Sequence, residues 1–512
     1  MHVQRLVARG RGLKAMFILL PIVIIATVGG YVLYGMHDLE SYTYNLKVDS
    51  RDFYPLASIN ATEFPVMARV YESRLIEYHI PLNLTIMTRF DLHGNVISYD
   101  ATDNGALWTG KTAAVAAMHY YLAANGSAEK DAARALVHDL ITGLSMQIAV
   151  PNGGLGPGFT NTVARYYAPP GERSNGNFTW MFNNDSMNFN GTGPYSDWRC
   201  RLDTSRDELG GYFLGISAME RFVKDDSYVV NLTRLIIGQL VEGFIRTNWQ
   251  ELNGDGTPNG VNLNPIINTA EWKLLVMKLA TLAYPDNLHY KQLYTQFTVN
   301  DYGITATPFV DPSGCITAYY GYGFGHDLIL ALILAENDQA FLDKFIANYE
   351  KAAYPIFQGQ RNAYFNAIFL AMNKLRSTPS TSYNLSLIRW DVLDELWRFN
   401  TSGWCPMDDT YGGKNRSISR SDRDPLGQNW TITNPTFTRW ASDKLINGIF
   451  RLSPHYVKPL VADMMGCSDF IWGDDPFDSA GGAGRSSPTS IHESPGTSFL
   501  LPYYILRVFG YL

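Results

Sequence analysis

From residue 62 onward, apolar side chains recur at the three-to-four-residue spacing of amphipathic helices. The segments are 62–80, 107–123, 128–148, 207–223, 227–247, 268–283, 323–335, 338–353, 360–375, 384–398, 436–452, 455–465 and 498–509. A chain written this way must bury about a dozen apolar stripes of similar length against one another. Their starts carry capping and turn residues: Asn125 and Gly126 before 128, Asp225 and Asp226 before 227, Ser453 and Pro454 before 455. Period-two alternation is sparse; 84–99 reads as a hairpin turning at His93, Gly94 and Asn95. Gly-, Asn-, Pro- and aromatic-rich loops fill 150–206, 250–267, 300–322, 399–435 and 466–497, lengths that carry function or packing of their own. They recur after alternate helices or helix pairs. This rhythm predicts a mainly α fold, helical hairpins closed into an (α/α)6-type toroid with long mouth loops. An irregular helical domain is the alternative, while a tetratricopeptide-like or HEAT-like solenoid lacks the fixed-period repeat it needs.

The uncharged run from Met16 to Gly35 is long enough to cross a bilayer core of about 30 Å as a helix. Arg5, Arg9, Arg11 and Lys14 precede it and no basic residue follows until Lys47, which places the N-terminus in the cytoplasm. The run exceeds a usual signal-peptide core and no clear A-x-A site follows, so it reads as a retained anchor. The expected organisation is a cytoplasmic basic segment (1–15), a transmembrane helix (16–35), a connector (36–60) and an extracellular or lumenal domain (61–512). N-x-S/T sequons at Asn60, Asn83, Asn125, Asn177, Asn184, Asn190, Asn231, Asn384, Asn400, Asn415 and Asn429 all follow the span. Cys200, Cys315, Cys405 and Cys467 allow two disulfides in an oxidising compartment; four buried free thiols are the alternative.

Charged residues are 17% of the chain and aromatic residues 13%, a globular composition rich in planar side chains. The net charge of −7 has no basic stripe behind it, which argues against nucleic acid as a partner. G-x-S-x-G, H-E-x-x-H and G-x-G-x-x-G are absent, removing the usual support for serine hydrolase, zinc protease and dinucleotide chemistry.

Two clusters stand at helix starts. In Asp203-Thr204-Ser205-Arg206-Asp207-Glu208-Leu209-Gly210-Gly211-Tyr212, Ser205 and Glu208 fit a capping box, which leaves Asp203 and Asp207 unexplained by capping. In Asp103-Asn104-Gly105-Ala106-Leu107-Trp108-Thr109-Gly110-Lys111, Asp103 is a plausible cap. A Trp beside an acid stacks on a sugar ring while the acid bonds its hydroxyls. The pairing of D-N-G-x-x-W-T with D-T-S-R-D-E-L-x-G-Y-F resembles a group of bacterial and archaeal exported α/α-toroid proteins, similar in architecture to glycoside hydrolases, unsaturated-uronyl hydrolases and polysaccharide lyases. The resemblance spans roughly residues 100–330 and implies a toroid with a carbohydrate-type cleft.

Glu251–Asn262 falls near the register of a twelve-residue calcium loop, with Asn253, Asp255, Thr257 and Asn259 among its oxygen-bearing positions. Glu at position 1 and Asn at position 12 depart from the rule, so a metal-free turn is the stronger expectation. No cofactor is required. Tyr319–Asp327 brings Tyr320 and His326 into an apolar helix, where His326 is either an acid–base group or a satisfied core residue.

These residues point to an anchored, outward-facing protein acting on glycans as a hydrolase or lyase; a non-catalytic glycan-binding or structural module is the competing class. For hydrolysis, Asp207 or Glu208 is the acid and Asp103 its partner, with Trp108, Trp180, Trp198 and Tyr212 as stacking surfaces. For elimination, Tyr320 or His326 is the base and Arg206 or Lys111 neutralises a uronate. If the anchor assignment holds, a fragment beginning near Met36 is released by carbonate washing while the full chain stays with membranes; retention of the fragment would contradict it.

Overall fold

The computed structural model describes residues 46–100, 104–253, 256–264, 269–300, 319–399, 470–474 and 491–512, together with Thr27, Gly30, Pro459, Val461, Ala462, Met465 and Pro476. The proposed membrane span, apart from Thr27 and Gly30, lies outside the described residues, as do Asp103, Asp255, Cys315, Cys405, Cys467 and nearly all of the segments expected at 436–452 and 455–465.

The described chain is mainly helical. The helices are α1 (Phe64–Tyr78), α2 (Gly105–Leu122), α3 (Ala128–Asn152), α4 (Arg206–Phe222), α5 (Ser227–Arg246), α6 (Thr269–Ala283), α7 (Leu288–Asn300), α8 (Tyr320–Ala335), α9 (Gln339–Ala352), the short α10 (Tyr354–Phe357), α11 (Ala363–Leu375), α12 (Leu385–Trp397) and α13 (Thr497–Val508). Several begin where a short polar side chain takes up free N–H groups. Ser127 Oγ accepts from Lys130 N at the head of α3, and Asp226, Asp338, Asn362 and Asn384 do the same for α5, α9, α11 and α12. Gly153, at φ 79°, ends α3 in the left-handed conformation that glycine adopts most cheaply.

The packing order is informative. Helix α2 lies against α4, α4 against α8, α8 against α11, α11 against α13, and α13 returns to α2. Helices α1, α3, α5, α7, α9 and α12 pack outside this circuit, each against one or two of its members or against α6. The inner helices are correspondingly apolar: in α8 every residue from Gly325 to Ala335 is buried. A helix apolar all round belongs in the middle of a large core. Helix α5 is long and apolar enough to cross a membrane by length and composition, but 56% of that stretch is buried inside the protein, as befits a core helix.

Helices α2 and α4 meet backbone to backbone. A Cβ on Gly110 would stand 1.9 Å from the Gly211 carbonyl oxygen, one on Gly211 2.5 Å from that of Leu107, and one on Gly215 2.7 Å from that of Gly110. Ala113, Ala114, Ala116 and Ala117 keep the following turns of α2 slim as well.

Small sheets decorate the helices. Strands β1 (Thr88–Phe90) and β2 (Val96–Tyr99) form the expected hairpin, and β8 (Ile491–Glu493) adds to its far edge, giving the order β2-β1-β8. The loop expected at 150–206 holds a second sheet, β3 (Tyr166–Ala168), β5 (Arg199–Arg201) and β4 (Asn188–Asn190), over a satellite core that includes Cys200. Cys200 is a free buried thiol, so it corrects the expectation of a disulfide at that position; burial pushes its pKa up to about 12.

Substituting Gly110 with Ala forces α2 and α4 apart or α2 to unwind, because the obstructing atom is backbone. Gly110→Ala is expected to lower unfolding stability by about 1–3 kcal/mol or to prevent folding. Urea midpoints compared with those of exposed Gly158→Ala check this, since nothing stands near a Cβ on Gly158.

Candidate functional site

The two helix-start clusters, about a hundred residues apart in sequence, converge. A cavity of about 270 Å³ is lined by Asn104, Leu107, Trp108 and Lys111 from the head of α2, Asp207 from α4, Tyr320, Gly323, Phe324 and Asp327 from α8, and Phe470, Gly473 and Asp474. Four of these side chains are aromatic, with the rings of Trp108 and Phe470 6.3 Å apart and Tyr320 57% exposed.

Asp207 and Glu208 divide the acidic work. Neighbours in a helix point about 100° apart, and here they part company completely. Glu208 turns inward, fully buried, and its Oε2 accepts the N–H groups of Ala106 (2.8 Å) and Leu107 (3.1 Å), so it caps α2 from the adjacent helix. Its Oε1 lies 3.1 Å from Arg165 Nη1. Arg165 also donates to Asn104 Oδ1 at 3.1 Å and to the Asp203 carbonyl oxygen from Nε and Nη2. Asp203 itself sits at φ 66°, a left-handed conformation held by these bonds. Asp207, in contrast, is half-buried, lines the cavity, and makes no hydrogen bond or ion pair with the described residues. The expected capping box does not form, because Glu208 is committed to α2 and Ser205 caps nothing with its side chain.

A buried ion pair lies on the cavity wall. Lys111 Nζ stands 3.2 Å from Asp327 Oδ2, while the Tyr364 hydroxyl donates to Asp327 Oδ1 at 2.7 Å. The ammonium also sits 3.6 Å from the centroid of the Phe470 ring. Burial lowers the Lys111 pKa and raises that of Asp327, each opposed by the charge of the other. The Nε1 donor of Trp108 is buried without a hydrogen-bond partner among the described residues.

The remaining expected site residues lie elsewhere. His326 is turned into the core: its ring stacks on Phe365 at 3.7 Å and its nitrogens are 2.7 Å from the Tyr322 carbonyl oxygen and 2.7 Å from the Tyr349 hydroxyl. Burial pushes its pKa down to about 3, so it is a neutral, satisfied core histidine and not an acid–base group at this cavity. Trp180 packs edge-on to Tyr166 and Trp198 lies against Tyr167 and Tyr195, all in the satellite core. Tyr212 is fully buried and donates to the Leu144 carbonyl oxygen at 2.7 Å. Arg206 is exposed and does not line the cavity.

The loop considered for calcium is a β-hairpin of β6 (Gln250–Leu252) and β7 (Pro258–Asn262). Asn253 Nδ2 donates to Thr257 Oγ1 at 3.1 Å, and Asn259 donates to the Glu251 carboxylate, so these oxygens and amides serve the turn. Among the described residues no group of three His, Cys, Asp or Glu side chains stands ready to hold a metal.

Phe470 and Asp474 are site residues that spacing does not single out, and Phe324 and Asp327 lie within the Tyr319–Asp327 stretch without being named as candidates there. One signal for Asp327 exists: an acid immediately before Leu328–Ala335, an uninterrupted apolar stretch, must be buried and therefore paired. Neither protein-family models, nor curated proteins, nor solved structures give a match to this chain.

Burial, the largest influence, and the nearby Asp207 charge push the Glu208 carboxyl up to about 8, against Arg165 and the two N–H donors. Burial likewise takes Glu251 to about 8 and Glu271 to about 7. With pKa values raised above the unfolded value, the native state holds more protons than the unfolded chain. Stability is then full below the unfolded pKa and falls as pH climbs through about 8. Urea midpoints are expected to fall from about pH 5 to about pH 8, and Glu208→Gln to flatten part of that slope. A midpoint that rises over this interval contradicts the assignment.

Proposed function

We propose that this chain is a membrane-anchored, outward-facing protein that acts on glycans, with its helices forming an (α/α) toroid. The alternation of inner and outer helices along the chain, and the return of α13 to α2, support the ring. The sequons and the flanking basic residues support the orientation.

The observation that carries the functional reading is the presentation of Asp207. A carboxylate with no hydrogen-bond or ion-pair partner among the described residues faces a cavity that the side chains of Trp108, Tyr320, Phe324 and Phe470 also line, and the buried indole N–H of Trp108 likewise has no partner among the described residues. Planar rings supply faces for a pyranose and the polar groups fix its hydroxyls. In hydrolysis, Asp207 protonates the glycosidic oxygen or attacks the anomeric carbon, and Asp474, on the same cavity, is the second carboxylate that the chemistry requires. Elimination has less support: His326 is sequestered, and Lys111 is already engaged with Asp327. A binding module remains the second reading, favoured by the commitment of Glu208 to capping and of Asp327 to Lys111.

Asp207→Asn separates the two. The wild-type protein is expected to cleave at least one member of a panel of neutral, amino and uronate oligosaccharides, and the variant to lose about 100-fold or more in turnover. Its melting temperature should be little changed, since Asp207 bonds to none of the described residues. If both proteins turn over nothing and bind the same glycan equally, the enzyme reading is wrong and the binding module stands.

A further inference from the structure

The cavity lies on one identifiable side of the protein. Glu208, in the first turn of α4, caps the first turn of α2, and Lys111 of α2 pairs with Asp327 of α8. Tyr364, in the first turn of α11, donates to that same Asp327. Asn362, the N-cap of α11, donates from Nδ2 to the Trp472 carbonyl oxygen at 2.9 Å. The Trp472 indole in turn donates to the Ser498 carbonyl oxygen, in the first turn of α13, at 2.7 Å. The starts of α2, α4, α8, α11 and α13 are thus gathered together, and the cavity is set among them.

The chain joins the folded domain on this same side. Leu46 packs against Gly359, where a Cβ would stand 2.6 Å from the Leu46 backbone carbon. The neighbouring Gln360 accepts from the hydroxyl of Tyr319, which immediately precedes α8. Arg361, next again, pairs with Asp391, Asp394 and Glu395 in the last two turns of α12, so that end of α12 stands at the head of α11. It also holds the incoming segment: Tyr54 N–H donates to Asp394 Oδ1 at 2.6 Å, and Trp390 Nε1 donates to the Tyr54 carbonyl oxygen at 2.9 Å. Phe53 lies edge-on to Trp390, with the Arg361 guanidinium 4.4 Å from its centroid. Packing and hydrogen bonds therefore fix the point of entry.

That point is close in sequence to the proposed anchor, since only residues 36–45 separate Gly35 from Leu46. Ten residues reach at most about 35 Å when fully extended, and about 18 Å as an unstretched coil. Helix α8, with 16 residues, alone spans about 24 Å in the direction leading away from the cavity. Turning the cavity side away from the bilayer would make those ten residues pass the full depth of the helices and the loops beyond them, at the limit of their extension. With the cavity side towards the bilayer they need only a fraction of it. Resting on the anchored, glycan-acting reading above, we infer that the cavity side faces the bilayer and that the substrate is a glycan carried on a lipid of the same membrane. Such a glycan meets this face at high effective concentration, whereas a free polymer has to enter the gap between domain and bilayer.

Two measurements on the full-length protein in phosphatidylcholine vesicles test this. In the first, a fluorophore is coupled through an introduced azido-amino acid at position 320, at the head of α8, or at position 121, in the last turn of α2. Tyr320 and Tyr121 are 57% and 56% exposed, so both positions accept a label. Energy transfer to a rhodamine-labelled lipid is expected to be stronger from position 320; equal transfer, or stronger transfer from 121, overturns the orientation. In the second, each oligosaccharide of the panel is supplied free or as its phosphatidylethanolamine conjugate in the protein's own vesicles, at equal total concentration. The conjugate is expected to be bound or turned over at least about 100-fold better at limiting concentration, and to lose that advantage when it resides in separate vesicles. Equal use of free and conjugated forms overturns the membrane-borne substrate and leaves the glycan reading standing. No binding or turnover of any member in either form overturns the glycan reading, and the substrate named here with it. Failure of the chain to float with the vesicles overturns the anchored reading and the orientation together.

Discussion

Gly110 and Gly211 bring two helices closer than any side chain would permit, and the rest of the site is built on that contact. With carbonyl oxygens where Cβ atoms would otherwise stand, α2 and α4 sit in van der Waals contact along their first turns. Only at this separation does the Glu208 carboxylate reach across to the N–H groups that open α2. The same proximity places Trp108 and Lys111 of one helix beside Asp207 of the other, and Gly210 beside Phe324 of α8. Close packing and site geometry are therefore one constraint. Extra volume at the glycines would be felt in both, because the neighbouring atoms are main-chain and cannot turn aside.

Buried charge is the second theme, and it is managed by enclosure in networks. Around Arg361 the carboxylates of Asp391, Asp394 and Glu395 gather with Arg398, all buried. Asp394 also accepts Tyr54 N–H at 2.6 Å, Glu395 accepts Ala462 N–H at 2.7 Å, and Asp391 accepts Asn366 Nδ2 at 2.7 Å. The network thus pins segments far apart in sequence to α12. Removing one partner from such a cluster costs about 3–5 kcal/mol, since the survivors keep their desolvation penalty, whereas the intact set offers little net stabilisation over an apolar packing. Its value lies in specifying which segments meet. Glu208 with Arg165, and Asp327 with Lys111 and Tyr364, obey the same logic at the cavity.

How far the sequence could be read depended on whether a feature was local. Helices with strong apolar stripes were legible: those expected at 107–123, 227–247 and 384–398 fall within two residues of α2, α5 and α12 at either end. Helix α7 was not, because Leu288–Asn300 mixes polar and apolar residues around its circumference and leaves Leu288 and Val299 more than two-thirds exposed. The sheet inside the loop at 150–206 was missed for another reason: its strands are three residues each, too short for alternation to register. At the site, the convergence of the two clusters followed from their shared position at helix starts. Asp327, contributed by a third helix, was marked only by its place before an apolar stretch, and Phe470 and Asp474, which flank a single 3-10 turn, had no marker. Trp180, Trp198 and Tyr212 show the opposite error, since an aromatic side chain in a loop or first turn is equally suited to lining a cavity and to filling a core.

The adjacency of Asp207 and Glu208 shows what composition at a helix start leaves undecided. Both are acids in the first turn, both gain from the helix dipole, and sequence spacing treats them alike. The fold separates them because one side of α4 faces α2 at glycine distance and the other faces open volume. On the closed side a carboxylate must find donors or remain protonated, and Glu208 finds the two free N–H groups and Arg165. On the open side no donor among the described residues is offered, so Asp207 keeps its lone pairs for whatever enters. Glu208 thereby acts on the cavity without touching it: by fixing the first turn of α2 it fixes the directions of Trp108 and Lys111, which share that turn and the next. Buried Glu208 sets the shape of this cavity and half-buried Asp207 faces into it, and only the packing of α2 on α4 decides which is which.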